Sequence, residues 1–166
     1  AVMIARRADR RILLVRQFRL GPRKLLWEVP AGRLDPGETP IGAVLVINGE
    51  VIASAHNMRE TWHDPTAHAE CIVLRQAAAK LGRWRLSDAT VYVTMEPCLM
   101  CAGALVLARI ERLVYGCRDE RAGALGSVYD VVRDGRLNHV YRITPGVLEA
   151  ECRAVVQGFF EKLRQR

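Results

Sequence analysis

At 166 residues, half of them apolar, the chain has room for one domain with a real core, and no apolar run approaches the roughly 20 residues of a membrane span. A formal charge of +7 invites a polyanionic partner. Residues 1–40 hold nine Lys/Arg against four Asp/Glu and the remainder sixteen against fourteen, so most of the basic excess lies outside the segment that carries the chemistry.

Five cysteines, an odd number, argue against a disulfide framework, and the arginine-rich start lacks an apolar signal core. Both point to a reducing cytoplasm with no membrane association. Residues 11–16 and 25–29 are β-prone runs with Gly21-Pro22 between them as a turn signal, and residues 30–38 are loop punctuation. Residues 42–47 and 51–55 flank Asn48-Gly49-Glu50, a hairpin signal. Residues 57–65 are polar and loop-like. Thr66 is placed to cap a helix over 67–81, with Gly82 as its stop. Residues 90–95 are β-rich, Pro97 precedes a helix over 98–108, and 113–115 form another strand, a β-α-β unit that predicts parallel pairing. Residues 127–132 look helical, 141–144 extended, and 147–166 amphipathic and helical. Alternating strands and helices predict the α/β class, one sheet covered on both faces.

Two short runs carry the chemistry: His68-Ala69-Glu70 and Pro97-Cys98-Leu99-Met100-Cys101. One imidazole and two thiols offer Zn²⁺ three protein ligands, which leaves a fourth position for water, the catalytic arrangement. The ion lowers that water's pKa towards about 7, and a neighbouring carboxylate, Glu70, is placed to take its proton and return it to a leaving group. A redox dithiol of Cys98 and Cys101 would leave His68 and Glu70 without a role. A closed structural zinc would need a fourth ligand, and Cys71, one helical turn from His68, is the candidate; it fits equally as an apolar residue beside Ile72 and Leu74.

H-x-E followed by P-C-x-x-C is the signature of the zinc nucleobase deaminases. Around it, His63-Asp64-Pro65-Thr66-Ala67-His68-Ala69-Glu70, residues 94–104, Arg109-Ile110, residues 116–119, residues 123–127 and Asn138-His139 make residues 41–166 resemble the bacterial tRNA-specific adenosine deaminases. The resemblance implies a cytidine deaminase-like three-layer α/β/α sandwich with a mixed five-stranded sheet. It also implies one zinc per subunit, a homodimer, and conversion of adenosine to inosine at the wobble position of a tRNA anticodon stem-loop. His68, Cys98 and Cys101 would be the metal ligands and Glu70 the catalytic proton shuttle. Asn57, His63, Asp64, Ala69, Glu96, Pro97, Arg118, Asp119, Phe159 and Phe160 would meet substrate. Zinc and glutamate do not choose the base, so a deaminase of free guanine, cytosine or nucleotides is the rival enzyme, and a catalytically impaired, zinc-stabilised RNA-binding module the rival without turnover.

Two departures stand out. Leu107-Ala108 replaces a His-Ser or similar pair before Arg109-Ile110, and Cys117 replaces a commonly small residue. The family's first helix is also missing. In its place, residues 13–19 and 27–38 resemble the N-terminal part of Nudix hydrolases of the ADP-ribose pyrophosphatase type, without the acidic helix that would hold Mg²⁺. The expected division is therefore a Nudix-like segment over 1–40, incomplete as a domain, and a deaminase domain over 41–166. Unless Ile12, Leu14, Leu25 and Trp27 cover the surface that the lost helix would bury, the fold should be weakened.

Overall fold

The computed structural model describes residues 37–133 and 135–165, and nearer the N-terminus the backbone of four short strands. There β1 (Ala5–Arg6) pairs antiparallel with β2 (Ile12–Leu13), and β3 (Val15–Arg19) pairs antiparallel with β4 (Lys24–Glu28), Arg19 opposite Lys24. The β-prone run over 11–16 thus contributes to both β2 and β3. Arg33, most of the Nudix-like loop and the side chains proposed to replace a lost helix lie outside the described residues.

β5 (Gly42–Ile47) and β6 (Glu50–His56) form an antiparallel hairpin. Asn48 and Gly49 both take positive φ, 50° and 82°, as a two-residue turn needs if its twist is to match the strands. β5 also pairs antiparallel with β7 (Ala89–Met95), which pairs in parallel with β8 (Arg112–Cys117), itself parallel to β9 (Arg142–Thr144). The order β6-β5-β7-β8-β9 is the expected mixed five-stranded sheet. All six residues of β5 are buried, as in a strand covered on both faces, whereas β6 is an edge with Glu50, Val51 and Ser54 exposed.

Among the described residues there are four helices: α1 (Arg59–Trp62), α2 (Ala69–Leu81), α3 (Leu99–Leu107) and α4 (Glu149–Arg164). α2 packs on β5, β6 and β7 and against α3, while α4 packs on β7 and β8, so the sheet lies between helical layers. Leu45, Leu86, Leu105, Ile110, Leu113 and Tyr115 are the large buried side chains of that core, each contributing about 1.5–3 kcal/mol. No helix among the described residues is long and apolar enough to cross a membrane.

Three local expectations are corrected. The polar stretch after Asn57 contains the single turn α1. α2 starts at Ala69 with His68 at its N-cap position, not Thr66, because Asp64 Oδ1 accepts both the Thr66 amide and its hydroxyl at 2.7 Å. Residues 127–132 are not a helix: the Val128 and Tyr129 amides both bond to Gly123 O, and Val131 N–H bonds to Ala124 O. Gly82 does stop α2, at φ 64°, its amide reaching the Ala78 and Ala79 carbonyls.

Candidate active site

Two helix N-termini converge here. His68 precedes α2 and Cys98 precedes α3, each in extended backbone conformation, and among the described residues neither uses its side chain as a helix cap. The two side chains face each other. His68 Nδ1 lies 3.7 Å from Cys98 Sγ and 3.6 Å from Cys101 Sγ, and one donor atom from each of the three residues falls within 4.8 Å of the others. Tetrahedral zinc, with bonds of about 2.0–2.1 Å to nitrogen and 2.3 Å to sulfur, requires donor–donor edges of roughly 3.5–3.8 Å. The residues fit the ion. Cys71 Sγ is 3.8 Å from Cys101 Sγ yet stands outside the mutually close set, which favours three ligands over four.

Packed this closely, the donors shift one another's protonation. A hydrogen bond from Cys101, assisted by His68, brings the Cys98 thiol down to about 4 against an opposing effect of burial. Cys101 is pushed up by its bonds to Cys71 and Cys98 and by burial, and His68 is raised chiefly by its bond to Cys98. Glu70 occupies the first turn of α2, buried, and burial raises its carboxyl pKa. Its Oε2 has no hydrogen-bond partner among the described residues. A buried acceptor left without a partner costs about 1–3 kcal/mol, so this oxygen is aimed at something other than the fold.

Residues 57–66 flank the start of α2. Asn57, buried, accepts the Ala69 amide on Oδ1 at 2.9 Å and so caps the start of α2 from a distance. Met58 N–H bonds to Ala67 O, Asp64 closes its turn on Thr66, and His63, at φ 51°, is exposed. Glu38 holds this segment: its buried carboxylate accepts the Thr61 amide at 2.9 Å. Sequence reasoning missed Glu38, which looked like part of the Nudix-like loop.

Residues 117–127 flank the Pro97-Cys98 turn. Arg118 is exposed, and the Asp119 carboxylate accepts the Arg121 and Ala122 amides at 2.9 and 3.2 Å. Pro97 is buried, its carbonyl accepting the Ala124 amide at 2.9 Å. The Glu96 carboxylate points into this loop, accepting the Asp119, Leu125 and Ser127 amides and the Ser127 hydroxyl. Ser127 was not foreseen, since only the fold brings it to Glu96.

Phe159 is half-buried and Phe160 exposed on α4, their rings edge to face with centroids 5.4 Å apart. The Asn138-His139 pair lies elsewhere and is structural: Arg109 Nη1 donates to Asn138 O and Oδ1 at 2.9 Å, and His139 Nε2 lies 2.8 Å from Ile110 O.

Residues 23–164 match the MafB19-like deaminase family. The chain is 51% identical over 132 residues to a tRNA-specific adenosine deaminase of Bacillus subtilis, covering 80% of this chain and 82% of that one. It is 45% identical over 130 residues to a tRNA-specific adenosine deaminase of Haemophilus influenzae, covering 78% and 75%. Its fold is similar to a solved tRNA:A34 deaminase of the transfer-RNA wobble position (TM-score 0.68, 44% identity, 70% of this chain and 84% of that). It is also similar to a guanine deaminase from Nitrosomonas europaea (TM-score 0.62, 26% identity, 74% and 73%).

Proposed function

Because the chain belongs to the tRNA-specific adenosine deaminases of the cytidine deaminase-like family, we propose that it hydrolyses adenosine to inosine at the tRNA wobble position, with His68, Cys98 and Cys101 holding one zinc per subunit. The observation that carries this is the three-donor cluster beside a buried carboxylate whose Oε2 has no partner among the described residues.

Zinc held there supplies Lewis acidity that lowers the pKa of water towards about 7. Glu70 Oε2 receives the proton released from the attacking water and returns it to the departing amino group as ammonia leaves C6. Its burial, by raising the carboxyl pKa, suits it to both halves of that transfer. Asn57 orients the target base with its Nδ2 amide, since Oδ1 is committed to Ala69. Ala69 and Pro97 line the pocket with backbone. His63 and Asp64 sit on one rim, and Arg118 and Asp119 on the other, where an exposed guanidinium suits phosphate. Phe160, the more exposed of its pair, is the side chain available to stack on an unpaired base, and Phe159 braces it.

The substrate is an anticodon stem-loop and the working unit a cytoplasmic homodimer. Exposed Leu99, Met100, Leu107, Val128, Tyr129 and Val140 supply apolar surface for a partner copy. Residues 1–40 form a Nudix-like appendage without pyrophosphatase chemistry, and residues 41–166 the deaminase domain.

The test is inosine formation on a stem-loop bearing a wobble adenosine, with Glu70→Ala as control and zinc measured in both proteins. Turnover that falls about 10²–10⁴-fold in the control at unchanged zinc content supports the assignment. Turnover of free guanine but not of the stem-loop would replace the substrate, and RNA binding without turnover would replace the activity.

A further inference from the structure

The Glu96 side chain is buried, yet it lies one residue before the turn that carries Cys98. Its carboxylate accepts four hydrogen bonds, all from one loop. Oε1 takes the Leu125 amide at 2.8 Å and the Ser127 amide at 3.2 Å, and Oε2 takes the Asp119 amide at 3.2 Å and the Ser127 hydroxyl. A carboxylate is an acceptor with about four lone-pair sites, and this one is filled by donors from residues spanning 119–127. The same loop is joined to the metal-binding turn at two further points, Ala124 N–H to Pro97 O and a bridge between Gly123 and Cys98. Gly123 passes so close that a Cβ there would lie 2.6 Å from Glu96 Cδ and Oε2 and 2.5 Å from Asp119 O. No side chain fits between the carboxylate and the loop.

We infer that Glu96 is a positioning residue: from behind the pocket it holds residues 119–127 against the Pro97-Cys98 turn, and thereby fixes the rim from which Arg118 meets RNA. This rests on the tRNA deaminase assignment for its kinetic consequence, though not for its structural one. A glutamine, isosteric but half donor, cannot replace the carboxylate. Its amide nitrogen would face N–H or O–H donors where an oxygen now accepts, so at least one bond is lost and the loop end it served is released.

The experiment compares Glu96→Gln, Gly123→Ala and the milder Ser127→Ala with the parent protein by hydrogen exchange and by stem-loop kinetics. Expected are amide exchange at least tenfold faster in peptides covering 119–127 with β5 and α2 still protected, one zinc per chain, and a KM increase exceeding the loss in kcat. Gly123→Ala should share this signature because it displaces the same carboxylate, and Ser127→Ala should show it in weaker form. Unchanged exchange in 119–127 for Glu96→Gln overturns the inference. A fall in kcat with KM and loop exchange unchanged does so too, by assigning Glu96 to the chemistry. If Glu96→Gln fails to fold, loop exchange in Ser127→Ala decides. Should the parent protein prove inactive on the stem-loop, the functional assignment fails while the exchange result still judges the loop contact.

Discussion

Asn57 and Ala69, twelve residues apart, are joined by a 2.9 Å hydrogen bond from the Ala69 amide to Asn57 Oδ1. The bond satisfies one of the orphan donors at the start of α2 and holds the helix turn that carries Glu70. It also separates two roles of one side chain. Asn57→Asp keeps the acceptor beside a helix N-terminus but loses the amide donor, so its unfolding midpoint should stay near the parent's while kcat/KM falls at least tenfold. Asn57→Ala should lose both, with a further stability cost of about 0.5–2 kcal/mol. Urea unfolding beside stem-loop kinetics measures the split.

The three donors within 4.8 Å predict which cysteines matter for metal. His68→Ala, Cys98→Ala and Cys101→Ala should each lose zinc by elemental analysis, whereas Cys71→Ala should retain one ion per chain. Chelation should lower the unfolding midpoint and zinc restore it. At a free concentration a hundredfold above Kd the expected gain is about 2.7 kcal/mol. Loss of zinc in Cys71→Ala would mean a four-ligand, closed site.

Where sequence was enough, the reason is local. The Asn48-Gly49 turn demands positive φ at two successive residues, and Gly82 the same at one, so both signals survive any packing. The convergence of His68, Cys98 and Cys101 was legible because it depends on spacing along two helix starts. The failures share a cause: a side-chain carboxylate claimed a group that local propensity would have used otherwise. Residues 127–132 looked helical, but Glu96 holds the Ser127 amide. Thr66 looked like a cap, but Asp64 holds its hydroxyl and leaves Asn57 to serve α2. α1 is a single turn whose Thr61 amide is held by Glu38, twenty-three residues away.

Gly116 faces α4 closely enough that a Cβ would sit 2.3 Å from Cys152 Sγ and 2.6 Å from Thr94 O. Gly116→Ala should destabilise by about 1–3 kcal/mol. Because one of the opposing atoms is backbone, adding Cys152→Ala should recover only part of that loss. Thermal midpoints of the single and double variants check it.

Burial raises the Cys152 thiol pKa from its ordinary value of 9.0 to about 11, with Cys117 and Glu151 adding to the effect, and burial also raises Cys117. The fold favours the neutral thiol, so this contribution is intact below pH 9 and is lost as pH rises towards 11. Tyr115 and Tyr141, raised by burial as well, carry the same sign. Stability should therefore decline between pH 9 and 11, less steeply in Cys152→Ala. Urea midpoints across that range would show it, and a flat profile in the parent would contradict it.

The sheet order has a kinetic consequence. The β5–β6 hairpin closes through two residues, but β7 must reach the other side of β5, and β8 then joins β7 in parallel after α3. Such non-local pairings form slowly. His68 and Cys98, thirty residues apart in the chain, meet only once those pairings are made. On the proposed assignment, zinc would thus be captured by a nearly finished protein. It should leave the folding rate almost untouched and act as a latch on unfolding, lengthening the life of the native state in proportion to its hold on the three donors.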